Sequence, residues 1–177
     1  RAMIKTVKNE KTFHEFVVPP GLKPSIIDFF NLVESVFKKN PNRPKPIIVH
    51  GPSGVGKRLF VKIFENSSFG NNSEKNSVVI NCAQYAGDAG IIRSELFGHE
   101  KGAFTGASGK KIGLIEHAEG GVLVLDEIGE LAKEVQAQLL TYFDSGQYYS
   151  VGATQPKTSK KIKIIGTTNQ RLDDEEK

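Results

Sequence analysis

A single cysteine, Cys82, leaves the chain unable to form an internal disulfide. It sits in the apolar run Val78–Ala83, where a lone thiol serves as a small buried hydrophobe, and the usage suits a reducing compartment. Long hydrophobic runs are equally scarce. No stretch approaches the roughly 20 apolar residues that span a bilayer, and Arg1 to Glu15 lack the apolar core of a signal peptide. A cytoplasmic protein with no membrane partner is expected. The charge excess is small: 24 basic against 20 acidic residues give +4, spread along the chain rather than gathered into a nucleic-acid face. Lys157–Lys163, the densest basic run, is too short to argue for DNA by itself. His50, His99 and His117 lack metal-ligand spacing with other donors and read as structural. Neither a serine-histidine-acid arrangement nor an internal repeat is present.

What is there fits one domain with a substantial core, since 38% of 177 residues are hydrophobic. Residues 1–24 are polar and then proline-punctuated (Pro19, Pro20, Pro24), a lead-in segment; the domain proper is expected over residues 25–177. A helix should start at Ser25, with Asp28 as capping partner, and stop at Asn40-Pro41. Beyond it, apolar runs predict strands at Ile47–His50, Val78–Asn81, Val122–Leu125 and Ile162–Gly166. Helices are predicted at Lys57–Glu65, Ile91–Phe97 and Ile112–Ala118, and along the stripe Ala132, Val135, Leu139, Leu140 and Phe143. Asn66–Asn76 reads as a loop, and Tyr148–Val151 with the following loop to Lys161 as an excursion from the sheet. Alternating strands and helices predict an α/β fold layered on a mainly parallel sheet. The chain stops eleven residues after Gly166 with an acidic end, which suggests a fragment.

Three segments carry chemistry. Gly51-Pro52-Ser53-Gly54-Val55-Gly56-Lys57, between a strand and a helix, has the layout of a phosphate loop. Its glycines let backbone N–H groups converge on phosphate oxygens, the helix N-terminus adds partial positive charge, and Lys57 reaches the terminal phosphates of ATP. Arg58 departs from the general pattern, in which a Ser or Thr hydroxyl meets Mg2+, so the metal must lean more on Asp126. Asp126-Glu127 closes an apolar strand: one carboxylate can hold Mg2+ while the other polarises the attacking water. Two acids there are costly unless something positive lies opposite. Asn81, ending a strand at the same level, could hydrogen-bond Glu127, and Thr168-Asn169 could sense the γ-phosphate; both also read as ordinary strand-end residues. The third segment, Gly102-Ala103-Phe104-Thr105-Gly106-Ala107, sets one aromatic and one hydroxyl among small residues. That composition suits a flexible, exposed contact tip, not a core.

GPSGVGKR (51–58), VVINCA (78–83), SELFGHEKGAFTGA (94–107), AEGGVLVLDEIGEL (118–131), QLLTYFDSGQYYSVG (138–152) and IKIIGTTN (162–169) together resemble the central AAA+ domain of bacterial sigma-54-dependent transcriptional activators. The similarity covers roughly residues 45–172, and the complete GAFTGA hexapeptide makes it specific. It implies a three-layer P-loop AAA+ core. Lys57 would bind phosphates, Asp126 and Glu127 would be the Walker B pair, Asn81 the switch restraining Glu127, and Thr168-Asn169 sensor I. Gly102–Ala107 would touch sigma-54, with Gly146–Lys160 a second loop moving beside it. The residue at position 58 is usually glutamate in this family.

The resemblance further implies a ring, usually a hexamer, that remodels the RNA polymerase–sigma-54 holoenzyme, with DNA contacted through a separate domain. The family's arginine fingers, last sheet strand, helical lid and helix-turn-helix lie beyond sensor I, outside this chain. The lid subdomain is therefore expected to be absent and the isolated chain only weakly active. Two other functions compete with an ATP-driven activator domain: a nucleotide-gated binding module that never hydrolyses ATP, and another AAA+ motor acting on DNA or protein.

Overall fold

A computed structural model describes residues 14–17, 45–62 and 77–170. Along the chain it gives strand β1 (His14–Val17), β2 (Lys45–His50), helix α1 over 57–62, β3 (Ser77–Asn81), α2 (Ala89–Phe97) and the single turn α3 (Leu114–His117). Then follow β4 (Val122–Asp126), α4 (Lys133–Ser145), β5 (Gln147–Tyr148), β6 (Lys157–Thr158) and β7 (Lys163–Thr168). Short 3-10 turns follow β3 (Cys82–Tyr85) and β4 (Ile128–Glu130). The helix predicted from Ser25 and the loop Asn66–Asn76 lie outside the described residues.

Among the described residues five strands form one parallel sheet in the order β1-β2-β7-β4-β3. The central strands explain themselves. Every residue of β4 is buried, as expected of a parallel strand covered on both faces, and its side chains alternate between two cores. Leu123 and Leu125, with Ile164 of β7, face Ile92, Leu96 and Phe97 of α2, Ile115 of α3 and Leu139 and Tyr142 of α4. Val122 and Val124, with Ile165, face Ile47, Val49 and Val61, the last from α1. Helices on both sides of the sheet make three layers, and each fully buried aliphatic or aromatic side chain contributes roughly 1.5–3 kcal/mol relative to exposure.

Three details differ from the sequence expectations, and a fourth gives one of them its form. Residues 14–17, placed in the lead-in, form the edge strand β1, paired from His14↔Ile47 to Val17↔His50; an edge strand needs no long apolar run to announce it. The helix expected over Ile112–Ala118 shrinks to one turn because Gly113, its N-terminal flank, is wedged against the backbone of Leu96–Gly98. Leu140, counted in the stripe of α4, is 44% exposed; it neighbours Leu139, and adjacent helical positions lie about 100° apart. The excursion after α4 is an antiparallel hairpin, β5–β6. Its base is fixed by Tyr148, whose ring lies 5.6 Å from that of Tyr142 and 6.0 Å from that of Phe97, and by the Tyr142 hydroxyl, which donates to Ser159 O at 3.1 Å.

Candidate functional site

The carboxyl ends of β2, β7, β4 and β3 lie side by side, with His50 level with Thr168 and Asn81 level with Asp126. Ligands of open parallel sheets bind at this end. The loop Gly51–Gly56 starts there and is tied to the neighbouring strand by Gly51 N, which donates to Thr168 O at 3.2 Å. Gly54 and Gly56 have φ of 83° and 95°, values that L-residues rarely adopt and that turn the backbone into a cradle. Lys57 is half-buried at the start of α1, and its Nζ donates to Gly51 O at 2.7 Å and to Pro52 O at 3.4 Å. The ammonium thus lies over the mouth of the loop.

Asp126 is buried and both its oxygens are engaged. Oδ1 accepts from the Thr167 hydroxyl, while Oδ2 accepts from Arg58 Nε at 3.2 Å and NH2 at 3.0 Å. Sequence reasoning demanded a positive group opposite the acids but did not identify it as Arg58, and it missed Thr167 altogether. The one available signal for Thr167 was its place beside Thr168 at the end of an apolar strand. Glu127 is the sole non-glycine residue with positive φ among the described residues, at φ 54° and ψ 51°. Strain of that kind concentrates at functional sites. Its N–H donates to Thr167 Oγ1 at 3.2 Å, and its Oε2 accepts from Asn169 N at 3.1 Å.

The Asn81–Glu127 hydrogen bond expected from the sequence is not made in this structure. Asn81 Oδ1 instead accepts from Ala83 N at 3.0 Å and caps the turn Cys82–Tyr85. An Asn at a strand end satisfies its own following turn first, as Asx residues commonly do. Thr168 is buried and its Oγ1 accepts from Gln170 N at 3.1 Å. Asn169 reaches Glu127 through its main chain and not through its carboxamide.

The tip is a closed turn. Gly102 N donates to Ala107 O, Ala103 N to Glu100 O and Ala107 N to Phe104 O, at 2.9–3.1 Å. Ala107 is buried, Gly102, Thr105 and Gly106 are exposed, and Phe104 is 48% exposed. Phe104 stands edge-on to His99, ring centroids 5.0 Å apart, a contact worth about 0.5–1.5 kcal/mol. His99 Nδ1 is 2.7 Å from the Ser94 hydroxyl of α2. Its backbone pairs with Lys111 in the returning leg and bridges to Val151 of the second loop. Val151 N donates to Gly98 O and Glu100 N to Val151 O, at 2.9 and 3.0 Å, while Ser150 Oγ donates to Phe97 O at 2.9 Å. The two loops are thereby zipped together at their bases. A cleft of about 520 Å³ lies at the foot of the tip, lined among others by Asp88, Ile91, His99, Phe104 and Val151.

Cys82 sits just behind the acids. Burial, reinforced by the charges of Asp126 and Glu127, pushes its thiol up from 9.0 to about 12. A raised acid pKa stabilises the fold in full below the unfolded value, and that contribution is lost as pH rises toward the folded value. Stability should therefore fall between about pH 9 and 12, and Cys82→Ala should flatten part of that fall. Urea midpoints measured at pH 8, 9.5 and 10.5 check this, and identical slopes for both chains would refute it. Burial moves the Tyr148 hydroxyl in the same direction, to about 12, so only the difference between the two chains is diagnostic.

Comparison with known proteins yields a consistent set. A family model described as the sigma-54 interaction domain matches residues 21–177. A Nif-specific regulatory protein of Rhizobium leguminosarum bv. trifolii is 46% identical over 154 residues, covering 86% of this chain and 41% of that protein. The DNA-binding transcriptional regulator NtrC of Escherichia coli K12 is 36% identical over 153 residues, 86% of this chain and 31% of the relative. Among solved structures, NtrX from Brucella abortus in complex with ADP superposes with a TM-score of 0.61 at 26% identity, covering 88% of this chain and 32% of that one. Its complex with ATP gives a TM-score of 0.60 at 27% identity, with 86% and 30% covered. The chain thus spans about two-fifths or less of the length of these proteins.

Proposed function

The chain belongs to the sigma-54 interaction domain family, the AAA+ module of bacterial sigma-54-dependent activators, and from that premise we propose that it couples ATP hydrolysis to movement of a sigma-54-contacting tip. ATP lies between Gly51–Arg58 and Asp126-Glu127, and Gly102–Ala107 engages sigma-54 in the RNA polymerase holoenzyme. One placement carries the reading. Phosphate loop, acids and Asn169 converge at one end of the sheet, while α2, which begins eight residues after Asn81, ends at the root of the tip.

In this mechanism the N–H groups of the loop and the start of α1 take phosphate oxygens. Lys57 turns its ammonium from the carbonyls of Gly51 and Pro52 to the terminal phosphates. Glu127, steadied by Asn169 N–H, accepts a proton from the attacking water. Among the described residues no three His, Cys, Asp or Glu side chains cluster as a metal cage. A magnesium site that draws most of its ligands from phosphate and water needs only one or two carboxylates, and Asp126 fits that role. Held there, the metal would supply positive charge against the phosphates. Loss of the γ-phosphate releases Asn169 and Glu127; the displacement passes through the turn Cys82–Tyr85 and α2 to Gly98, and the zipped loops move together. Asn81 stands at the head of that path, and to act as the switch on Glu127 its carboxamide has to leave Ala83 N, which it now caps.

A ring of such domains, cytoplasmic and brought to DNA by a separate domain, completes the proposal. No described helix is long and apolar enough to cross a membrane. Thr105→Ala is the direct test. It should cut open-complex formation at a sigma-54 promoter at least tenfold while ATP hydrolysis continues, and open complexes at the wild-type rate would sink the tip assignment. The Arg58–Asp126 pair favours a second reading, a nucleotide-gated module without turnover. ATPase activity that climbs with protein concentration would reject it.

A further inference from the structure

Arg58 stands where phosphate loops generally carry the metal-binding hydroxyl. Its guanidinium grips Asp126 Oδ2 through both Nε and NH2, at 3.2 and 3.0 Å, and the Thr167 hydroxyl takes Oδ1. The carboxylate's neutralising charge therefore comes from the protein's own side chain. Apart from that contact Arg58 lies in solvent, its side chain 79% exposed, so it can leave Asp126 without opening a cavity.

We propose that Arg58 is a tethered counter-ion that competes with the divalent metal for Asp126, so that the metal demand of nucleotide binding is set by residue 58. The proposal rests on the reading of Gly51–Arg58 as a triphosphate site. Magnesium takes near-octahedral oxygen ligands, and the two guanidinium bonds already fill both acceptor directions of Oδ2, with the Thr167 hydroxyl on Oδ1. For the metal to bind Oδ2 directly, Arg58 must let go. Asp126 is never left as a bare buried carboxylate, because Arg58 releases it only as the metal arrives. Free from Asp126, the guanidinium remains on the first turn of α1, beside the loop, where phosphate oxygens are its natural partners.

The experiment follows Mn2+ binding by the paramagnetic signal of the free ion, with the chain held at saturating ADP. Arg58→Gln, which keeps polarity, should lower the half-saturating Mn2+ concentration about fivefold, the effect of removing a competing ion pair worth roughly 1 kcal/mol. Arg58→Ser should lower it at least as far, whereas Arg58→Lys, which keeps the charge, should stay near wild type. In the Asp126→Asn background the Arg58→Gln effect should vanish. Half-saturation in Arg58→Gln equal to or above the wild-type value, with ADP uptake intact, would overturn the competition and leave Arg58 as a surface pair. A wild-type chain that takes up no ADP at any metal concentration would instead overturn the triphosphate site, and the competition with it.

Discussion

Glu127→Gln is expected to lower ATP turnover by about 10²–10⁴-fold, the range spanned by the loss of a positioned general base, while ATP binding and thermal stability are kept. The geometry makes this a clean substitution. Gln retains the carbonyl oxygen that Asn169 N needs, now met by Glu127 Oε2 at 3.1 Å. It suffers no more and no less than Glu from the left-handed backbone, φ 54° and ψ 51°. The bond from Glu127 N to Thr167 Oγ1 involves the main chain alone and survives. What disappears is the negative charge that can accept a proton. Hydrolysis by this chain, or by a longer protein carrying it, should be measured beside nucleotide binding and the melting temperature. Undiminished turnover would remove Glu127 from the chemistry. A parallel loss of binding or stability would make it a structural residue.

The same residue shows why some of the site was legible and some was not. Val122–Leu125 between Gly120-Gly121 and two acids is a local pattern, and both faces of a parallel sheet must be apolar, so strand and acids could be read together. The phosphate loop is likewise contiguous, and the exposed Phe104 follows from a hexapeptide with nothing to bury beside it. Arg58 and Asp126 are 68 residues apart. Their pairing depends on β2 and β4 flanking β7 in the sheet, a fact of register that no periodicity reports. Asn81 was placed correctly at the strand end, yet its partner was misread because a one-residue choice, the adjacent turn or the neighbouring strand, decides it. The edge strand β1 gave no signal because His14-Glu15-Phe16-Val17, two polar residues followed by two apolar ones, has no strand period. Ser94 and His99 stayed invisible for another reason: their contact depends on how the chain turns at Gly98.

That turn supports the second large effect. Gly98→Ala should lower the melting temperature by about 6–12 °C, from a penalty of roughly 3 kcal/mol. Gly98 caps α2 at φ 76° and ψ 177°, a region that is essentially glycine-only. A Cβ there would run into Lys111 O and meet Gly113 N at 2.8 Å, and these are backbone atoms that cannot rotate aside. Relief requires the two legs of the tip to part. That would break the His99–Lys111 bridge and the hydrogen bond from Val151 N to Gly98 O, at 2.9 Å. Gly109→Ala is the matched control, because a Cβ at that position meets nothing within 4 Å; it should shift the melting temperature by no more than about 2 °C. Circular-dichroism melts of both variants, beside ADP binding, separate the possibilities. A destabilised Gly98→Ala that still binds ADP places the damage at the root of the tip, as the geometry requires. Equal melting temperatures for the two variants would mean that α2 and the tip are not braced through Gly98, and the lever from nucleotide to tip would have to run elsewhere.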